Sequence, residues 1–143
     1  MPELPEVETI RRDLEQRILS KTIKSVRIND PFVLRTPSKY FISSLEHQSI
    51  KAVHRRGKAL LIELSNSKFL QVQLMMTGQL VIDGVPDKHS HVVVTFKDGT
   101  KLLYNDQRKF GQLRILNSLS ESKHIASLGP EPFAKEFDAA YIM

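Results

Sequence analysis

The apolar positions near the start of the chain repeat at the spacing of an α-helix. Four of them follow one another at intervals of three, four and four residues: Val7, Ile10, Leu14 and Ile18. Pro5 and Glu6 come first in this segment, and proline and acidic side chains are favoured in a first helical turn. The pattern predicts a helix that begins at Pro5 or Glu6, ends near Ser20 and packs one face on a core.

After this helix, apolar and polar residues alternate in short runs that are separated by turn signals, which is typical of strands. The predicted strands cover residues 23–28, 50–53, 59–64, 69–74, 79–82, 91–96, 101–104 and 112–116. Residues 54–57 form a predicted turn, and Asp98-Gly99 marks a hairpin between two strands. The pattern predicts an α+β, mainly β fold: a two-layer antiparallel β-sandwich with an N-terminal helix, with a flattened barrel as the alternative.

The sequence near the end of the chain predicts a loop and then a helix in place of strands. Residues 128–132 contain glycine and two prolines and predict a rigid loop, and residues 137–143 are typical of the opening of a helix that Asp138 could cap. The chain stops without a helix-ending residue, so we expect a truncation. The predicted division is a domain over 1–133 and the start of a linker or helix over 134–143.

Composition limits the protein class. The chain has 143 residues, 41% hydrophobic and 26% charged, which indicates one globular domain and argues against disorder. Cysteine is absent, which excludes a disulfide scaffold, a cysteine zinc site and a thiol nucleophile within this chain. No apolar run approaches the ~18 residues of a membrane span, so we expect a soluble, intracellular domain without membrane contact.

Positive charge is concentrated in one part of the sequence. Residues 17–58 hold ten Lys or Arg against two acidic residues, whereas residues 1–15 hold five acids against two arginines. A local surplus of this kind is expected of a protein that binds a polyanion such as nucleic acid. A solvated basic surface without a partner is the alternative.

The first residues suggest a reactive amine. A small residue after the initiator methionine normally permits its removal, which would leave Pro2 with a free secondary amine. An α-amino group titrates near pH 8, against about 10.4 for lysine, so much more of it is in the nucleophilic form at neutral pH. Such an amine can form an iminium with an aldehyde-like carbon, and Glu3 and Glu6 lie close in sequence as general acids.

Five segments together resemble a known family. They read PELPEVET at 2–9, RRGK at 55–58, LMMTGQL at 74–80, NDQRKFG at 105–111 and LGPEP at 128–132. Their order and spacing are similar to those of bacterial formamidopyrimidine-DNA glycosylase, over essentially all 143 residues. The resemblance implies base-excision repair of oxidised purines, chiefly 8-oxoguanine and formamidopyrimidines, on double-stranded DNA.

The resemblance also implies roles for single residues. Pro2 would attack the sugar C1′ and form a Schiff base, Glu3 would be the general acid of base release, and Glu6 a supporting carboxylate. Lys58 would contact phosphate and assist β,δ-elimination. Arg56, in the same basic segment, would contact DNA.

Three further residues match the family's void-filling side chains, which occupy the gap when the damaged base leaves the duplex. Met76 would be a flexible plug, Arg108 would bond to the orphaned partner base, and Phe110 would be a wedge between base steps. Met76 is chosen over Met75 because the family methionine stands two residues before the glycine.

His89 and His91 match a family segment that faces the DNA backbone, and alternation places both on one side of a strand. We expect phosphate contacts, with His89 ahead of His91; a metal site is the alternative, although no third ligand is evident. Gln73 stands where the family commonly has histidine, which predicts a weaker electrostatic attraction to a DNA phosphate at this position.

Members of this family are longer, with a helix-two-turn-helix module and a zinc finger that this chain lacks. We therefore expect no cofactor in this chain, with a structural zinc only in the missing part. We also expect weak DNA binding, because many phosphate contacts would come from the missing part. The protein is expected to be a monomer with a cytoplasmic, nucleoid-associated location in a bacterium. Three alternatives stay open: an endonuclease VIII-like glycosylase for oxidised pyrimidines, a small-molecule enzyme that uses Pro2 as a base, and a catalytically silent DNA-binding module.

Overall fold

The computed structural model describes residues 4–118. The helices in this range are α1 (Leu4–Ile18) and α2 (Ser38–Leu45), with a 3₁₀ helix at Pro31–Val33. The strands are β1 (Ile23–Ile28), β2 (Ile50–Arg56), β3 (Ala59–Leu64), β4 (Phe69–Gln73), β5 (Gly78–Ile82), β6 (Ser90–Phe96), β7 (Lys101–Asp106) and β8 (Gln112–Leu116).

The strands form two antiparallel four-stranded sheets. One has the order β1-β6-β7-β5 and the other β2-β3-β4-β8. One apolar cluster contains side chains of both sheets, for example Val94 and Leu102 from the first and Ile62 and Leu70 from the second. The predicted mainly-β, two-layer antiparallel sandwich is confirmed. The loop at 128–132, the helix expected at 137–143 and the boundary at 133 lie outside the described residues.

Helix α1 lies against the second sheet, where it contacts β2 and β3. Val7, Leu14 and Ile18 are at most 2% exposed, and Ile10 is partly buried against the same cluster. The stripe that the sequence predicted is therefore the buried face of the helix. Burial of this stripe fixes the direction in which the start of α1 points.

The segment between β1 and β2 differs from the prediction of strands alone. Asp30 caps the 3₁₀ helix by accepting a hydrogen bond from the Phe32 backbone N–H, at 2.9 Å. Helix α2 follows Pro37 and buries Phe41 and Leu45 completely. Eight residues are too few for a stable isolated helix, so α2 depends on this burial.

Strand β2 is longer than predicted. The predicted turn at 54–57 is wrong, because His54, Arg55 and Arg56 continue the strand and pair with β3. The turn consists of Gly57 and Lys58 alone, and the backbone of Gly57 is left-handed with φ 60°. Glycine adopts this conformation without a steric penalty, and two-residue hairpins commonly require it.

Candidate reaction site and nucleic-acid interface

The first turn of α1 opens onto a groove. Exposed Glu6 lines this groove together with Ile10, Leu74, Met76 and Gln79. The structure thus brings a predicted catalytic carboxylate and the predicted void-filling methionine to one depression. Pro2 and Glu3 lie outside the described residues, and their predicted roles stay predictions.

A cluster of charges fixes α1 to β2. Both oxygens of Glu8 accept hydrogen bonds from guanidinium groups: Oε2 lies 2.8 Å from Arg11 and 2.9 Å from Arg12, and Oε1 lies 3.1 Å from Arg55. The Arg11 hydrogen bond is the strongest influence and outweighs burial, so the pKa of Glu8 falls from 4.5 to about 2. Glu8 is therefore ionised at neutral pH, and its hydrogen bond with Arg11 raises the pKa of that guanidinium.

The same cluster reaches the turn that carries Lys58. The side chain of Arg55 is 2% exposed and donates both to Glu8 and, at 2.8 Å, to the carbonyl oxygen of Gly57. Arg11 also donates to the carbonyl oxygen of Val53 at 3.0 Å. Lys58 itself is exposed. These hydrogen bonds therefore fix the position of the Lys58 turn relative to the start of α1.

Sequence reasoning did not assign a role to Glu8, and it placed Arg55 in the predicted turn at 54–57. Strand alternation was the available signal, because Val53 and Arg55 share the inward face of β2 once the strand extends to Arg56. Arg56 is half-buried at the end of β2, and its predicted contact with DNA stays a prediction.

A second group of predicted residues occupies an exposed turn between β4 and β5, here called the Met76 turn (residues 74–78). Leu74 is 3% exposed and anchors the turn, whereas Met76 at the tip is 63% exposed. Met75 is 39% exposed, so Met76 projects further into solvent. Gln73 lies half-buried at the end of β4, between Ala59 and Gln112 of the neighbouring strands.

The third group lies between β7 and β8, in the Arg108 loop (residues 107–111). Arg108 and Phe110 are both exposed, and the guanidinium carbon of Arg108 lies 6.0 Å from the centre of the Phe110 ring. Lys109 turns away from them and forms an ion pair with Asp30 at 2.5 Å. This ion pair is the main reason why the pKa of Asp30 is below its usual range.

The two histidines do not share a surface. His91 is 4% exposed, and its Nε2 donates to the carbonyl oxygen of Asp106 at 2.6 Å, so it makes an internal contact in place of the predicted phosphate contact. The alternation rule does not relate the two side chains, because His89 lies in a turn before β6 and the pairing of β6 with β7 shifts register between Ser90 and Val92. His89 is half-buried, and its phosphate contact stays a prediction.

Residues 4–118 lack two further features that would point to other functions. No group of three or more His, Cys, Asp or Glu side chains in this range has the arrangement of a metal site. No helix in the same range is long and apolar enough to cross a membrane.

The fold and the site together define a two-sheet domain with exposed Met, Arg and Phe side chains on two loops and an acidic first helical turn beside the Met76 turn. The family model described as "Formamidopyrimidine-DNA glycosylase N-terminal domain" matches residues 1–113. The chain therefore belongs to the formamidopyrimidine-DNA glycosylase family, of which it carries the N-terminal domain.

Individual relatives agree with this assignment. The formamidopyrimidine-DNA glycosylase of Ligilactobacillus salivarius is 42% identical over 142 residues, which are 96% of this chain and 51% of the relative. A crystal structure of Lactococcus lactis Fpg with an abasic-site DNA has a TM-score of 0.85 at 32% identity and covers 94% of this chain and 52% of that chain. A complex of the same bacterium's Fpg with Fapy-dG DNA has a TM-score of 0.84 at 33% identity, covering 93% and 52%. The chain spans about half the length of the relatives that it matches.

Proposed function

We propose that this chain is the catalytic half of a bifunctional DNA glycosylase and AP lyase that removes oxidised purines, 8-oxoguanine and formamidopyrimidines, from double-stranded DNA. The names of its relatives and the DNA in the similar crystal structures support this activity. The observation that carries the proposal is the shared groove of Glu6 and Met76. It places the start of α1, which leads back to Pro2, next to a side chain suited to occupy the gap that a flipped base leaves.

The proposed reaction begins at the nitrogen of Pro2, after removal of Met1. This nitrogen bonds to C1′ while the bond between C1′ and the damaged base breaks, and the departing base takes a proton that Glu3 can supply. Opening of the sugar ring gives an iminium on Pro2, and Glu6 is close enough in sequence to stabilise that cation. The groove beside Glu6 is open to solvent, so that a DNA strand can reach it.

Strand cleavage follows from the iminium, which acts as an electron sink. Loss of a C2′ proton expels the 3′ phosphate, and a second elimination expels the 5′ phosphate, so that the strand is cut on both sides of the lost nucleoside. Exposed Lys58 can hold a phosphate during these steps, because a lysine ammonium attracts phosphate as a point charge. Arg55 supports Lys58 indirectly by fixing Gly57.

DNA binding is proposed to come from positive charge and from the two exposed loops. The net charge of the chain is +5, and residues 17–58 alone carry +8, which the rest of the chain partly offsets. Phosphate contacts set the affinity, whereas Met76, Arg108 and Phe110 give preference for a site with a missing or displaced base. A cytoplasmic, nucleoid-associated monomer would fit this activity.

The test is borohydride trapping on a duplex with an abasic site, at low salt, with DNA binding measured in the same samples. We expect a covalent adduct from the wild-type chain, which is lost in Pro2→Gly and in a form that keeps Met1. Lys97→Ala, which changes an exposed lysine at the β6–β7 turn, outside every proposed DNA contact, is the matched control and keeps the adduct. Bound DNA without an adduct would identify a silent binding module, and absence of binding would exclude a DNA-processing role for this chain.

A further inference from the structure

A buried tyrosine and aspartate lie beneath the two exposed loops. Tyr104 and Asp106, both on β7, are 2% and 1% exposed, and the Tyr104 hydroxyl donates to Asp106 Oδ2 at 2.7 Å. Burial is the main reason why the pKa of Tyr104 is raised, and Asp106 raises it further. Tyr104 therefore keeps its proton and serves as a donor to the carboxylate.

The Met76 turn is attached to this pair. The hydroxyl of Thr77 donates to Asp106 Oδ1, and the N–H of Gly78 closes the turn on the carbonyl oxygen of Leu74 at 2.8 Å. A Cβ atom at Gly78 would lie 2.9 Å from the Tyr104 hydroxyl and 2.5 Å from Leu74 O. The turn therefore approaches the pair as closely as a glycine permits.

The Arg108 loop is attached to the same carboxylate. The backbone N–H groups of Lys109 and Gly111 donate to Asp106 Oδ1 at 2.9 Å and to Oδ2 at 2.8 Å. A Cβ atom at Gly111 would lie 1.8 Å from the Tyr104 hydroxyl, which excludes any side chain there without displacement of Tyr104. Each oxygen of Asp106 thus accepts two hydrogen bonds, and each of the two loops supplies at least one donor.

Both loops also contain a strained residue. Met75 has φ 55° and Lys109 has φ 59°, left-handed conformations that non-glycine residues rarely adopt. Such conformations persist only when surrounding contacts hold them. Thr77 and Lys109 bring the Asp106 contacts within two residues of each strained position.

The backbone of Asp106 is fixed as well. Its N–H donates to the carbonyl oxygen of His89 at 3.1 Å, and its own carbonyl oxygen accepts from His91 at 2.6 Å. Burial would raise the pKa of Asp106, but the hydrogen bonds from Thr77, Tyr104 and the loop N–H groups outweigh it and keep the pKa below its usual range. Asp106 is consequently an ionised, immobile acceptor at neutral pH.

We propose that Asp106 is a positioning residue that sets the Met76 turn and the Arg108 loop at a fixed separation, so that Met76 and Phe110 enter a damaged duplex as one rigid unit. The inference rests on the proposed function, because it assigns the two side chains to one gap in DNA. Rigid presentation matters because less conformational freedom remains to be lost when the side chains insert. Asp106 touches neither the reacting atoms nor the DNA in this proposal.

The test compares the binding of two duplexes, one undamaged and one with a stable abasic-site analogue next to 2-aminopurine. Asp106→Asn has similar size but offers one acceptor oxygen and one donating amide, so some of the four donors lose their acceptor. We expect the ratio of abasic to undamaged affinity to fall by about tenfold, the size of one lost charge-assisted hydrogen bond. The rise in 2-aminopurine fluorescence on binding, which reports unstacking, should be lost in parallel.

Controls separate positioning from general loss of structure. Asp98→Asn removes a carboxylate that also orders a turn, at the opposite end of the β6–β7 hairpin. This variant should change neither the ratio of abasic to undamaged affinity nor the rise in 2-aminopurine fluorescence. Thr77→Val removes one donor from the Met76 turn and should lower the ratio, and Thr77→Ser should restore it. If Asp106→Asn does not fold, the comparison of Thr77→Val with Thr77→Ser tests the positioning role instead.

The outcomes also separate this inference from the proposed function. A wild-type chain that binds both duplexes equally and gives no trapped adduct would refute the proposed function. A wild-type chain that prefers the abasic duplex, together with Asp106→Asn and Thr77→Val variants that keep this preference, would refute the positioning role alone. A variant that loses affinity for both duplexes by the same factor would also refute it, since that is the result of general destabilisation.

Discussion

Replacement of Glu8 by glutamine tests how α1 is held on the sheet. Glu8→Gln keeps the size of the side chain but removes the charge that faces Arg11, Arg12 and Arg55. A carboxyl whose pKa falls from 4.5 to about 2 stabilises the folded state by at most about 3 kcal/mol at neutral pH. Glu8 is 18% exposed and Arg12 is 70% exposed, so solvent screening reduces this to about 2 kcal/mol.

The sign of the pH dependence follows from the lowered pKa. Stabilisation by Glu8 is complete above its unfolded value of 4.5 and is lost as the pH falls through the folded value of about 2. The free energy of unfolding of the wild type should therefore exceed that of Glu8→Gln at pH 7, and the two should converge between about pH 4.5 and 2. Urea unfolding at a series of pH values measures both.

A matched control uses another acid of the same helix. Asp13 is exposed, and Asp13→Asn should change the free energy of unfolding by no more than about 0.5 kcal/mol. A difference between wild type and Glu8→Gln that is absent at pH 7, or that stays constant down to pH 2, would refute the electrostatic explanation. The variant should also trap abasic DNA more slowly at pH 7, because α1 is less firmly placed.

Three other substitutions test the core and the proposed interface. Phe41→Ala should lower the free energy of unfolding by about 3–5 kcal/mol, since Phe41 is fully buried, and a loss below about 1 kcal/mol in urea unfolding would contradict its place in the core. Met76→Ala should leave stability within about 0.5 kcal/mol but reduce the preference for abasic DNA in a binding titration; an unchanged preference would exclude Met76 as the plug. Lys58→Ala should reduce the slope of log affinity against log salt by about 1, and an equal slope would show that Lys58 contacts no phosphate.

Local patterns predicted the elements that carry their own signal. The stripe from Val7 to Ile18 has helical spacing over three turns, and the strands are short apolar runs bounded by turn signals, so both could be predicted without the fold. Helix α2 has no such signal, because it is short and its N-cap position, Pro37, makes no side-chain hydrogen bond. The 3₁₀ helix did have a local sequence signal, since Asp30 followed by Pro31 is a typical capping sequence.

The residues of the candidate site also fall into those that could be predicted from the sequence and those that could not. Met76, Arg108 and Phe110 were predicted from the resemblance to the family, and all three side chains lie at exposed loop positions. Asp106 could not be recognised, because its role depends on two loops about thirty residues apart in sequence that meet at one carboxylate. His91 was misplaced because an alternating pattern reveals neither the turn that contains His89 nor the register shift between Ser90 and Val92.

The most direct test of the proposed chemistry is to locate the covalent bond. Wild-type chain is reduced with borohydride on abasic DNA, digested with protease and nuclease, and sequenced by mass spectrometry. We expect the sugar remnant on the nitrogen of Pro2, in a peptide from which Met1 is absent. A remnant on Lys58 or any other lysine, or an adduct on a chain that still begins with Met1, would contradict the N-terminal amine as the nucleophile.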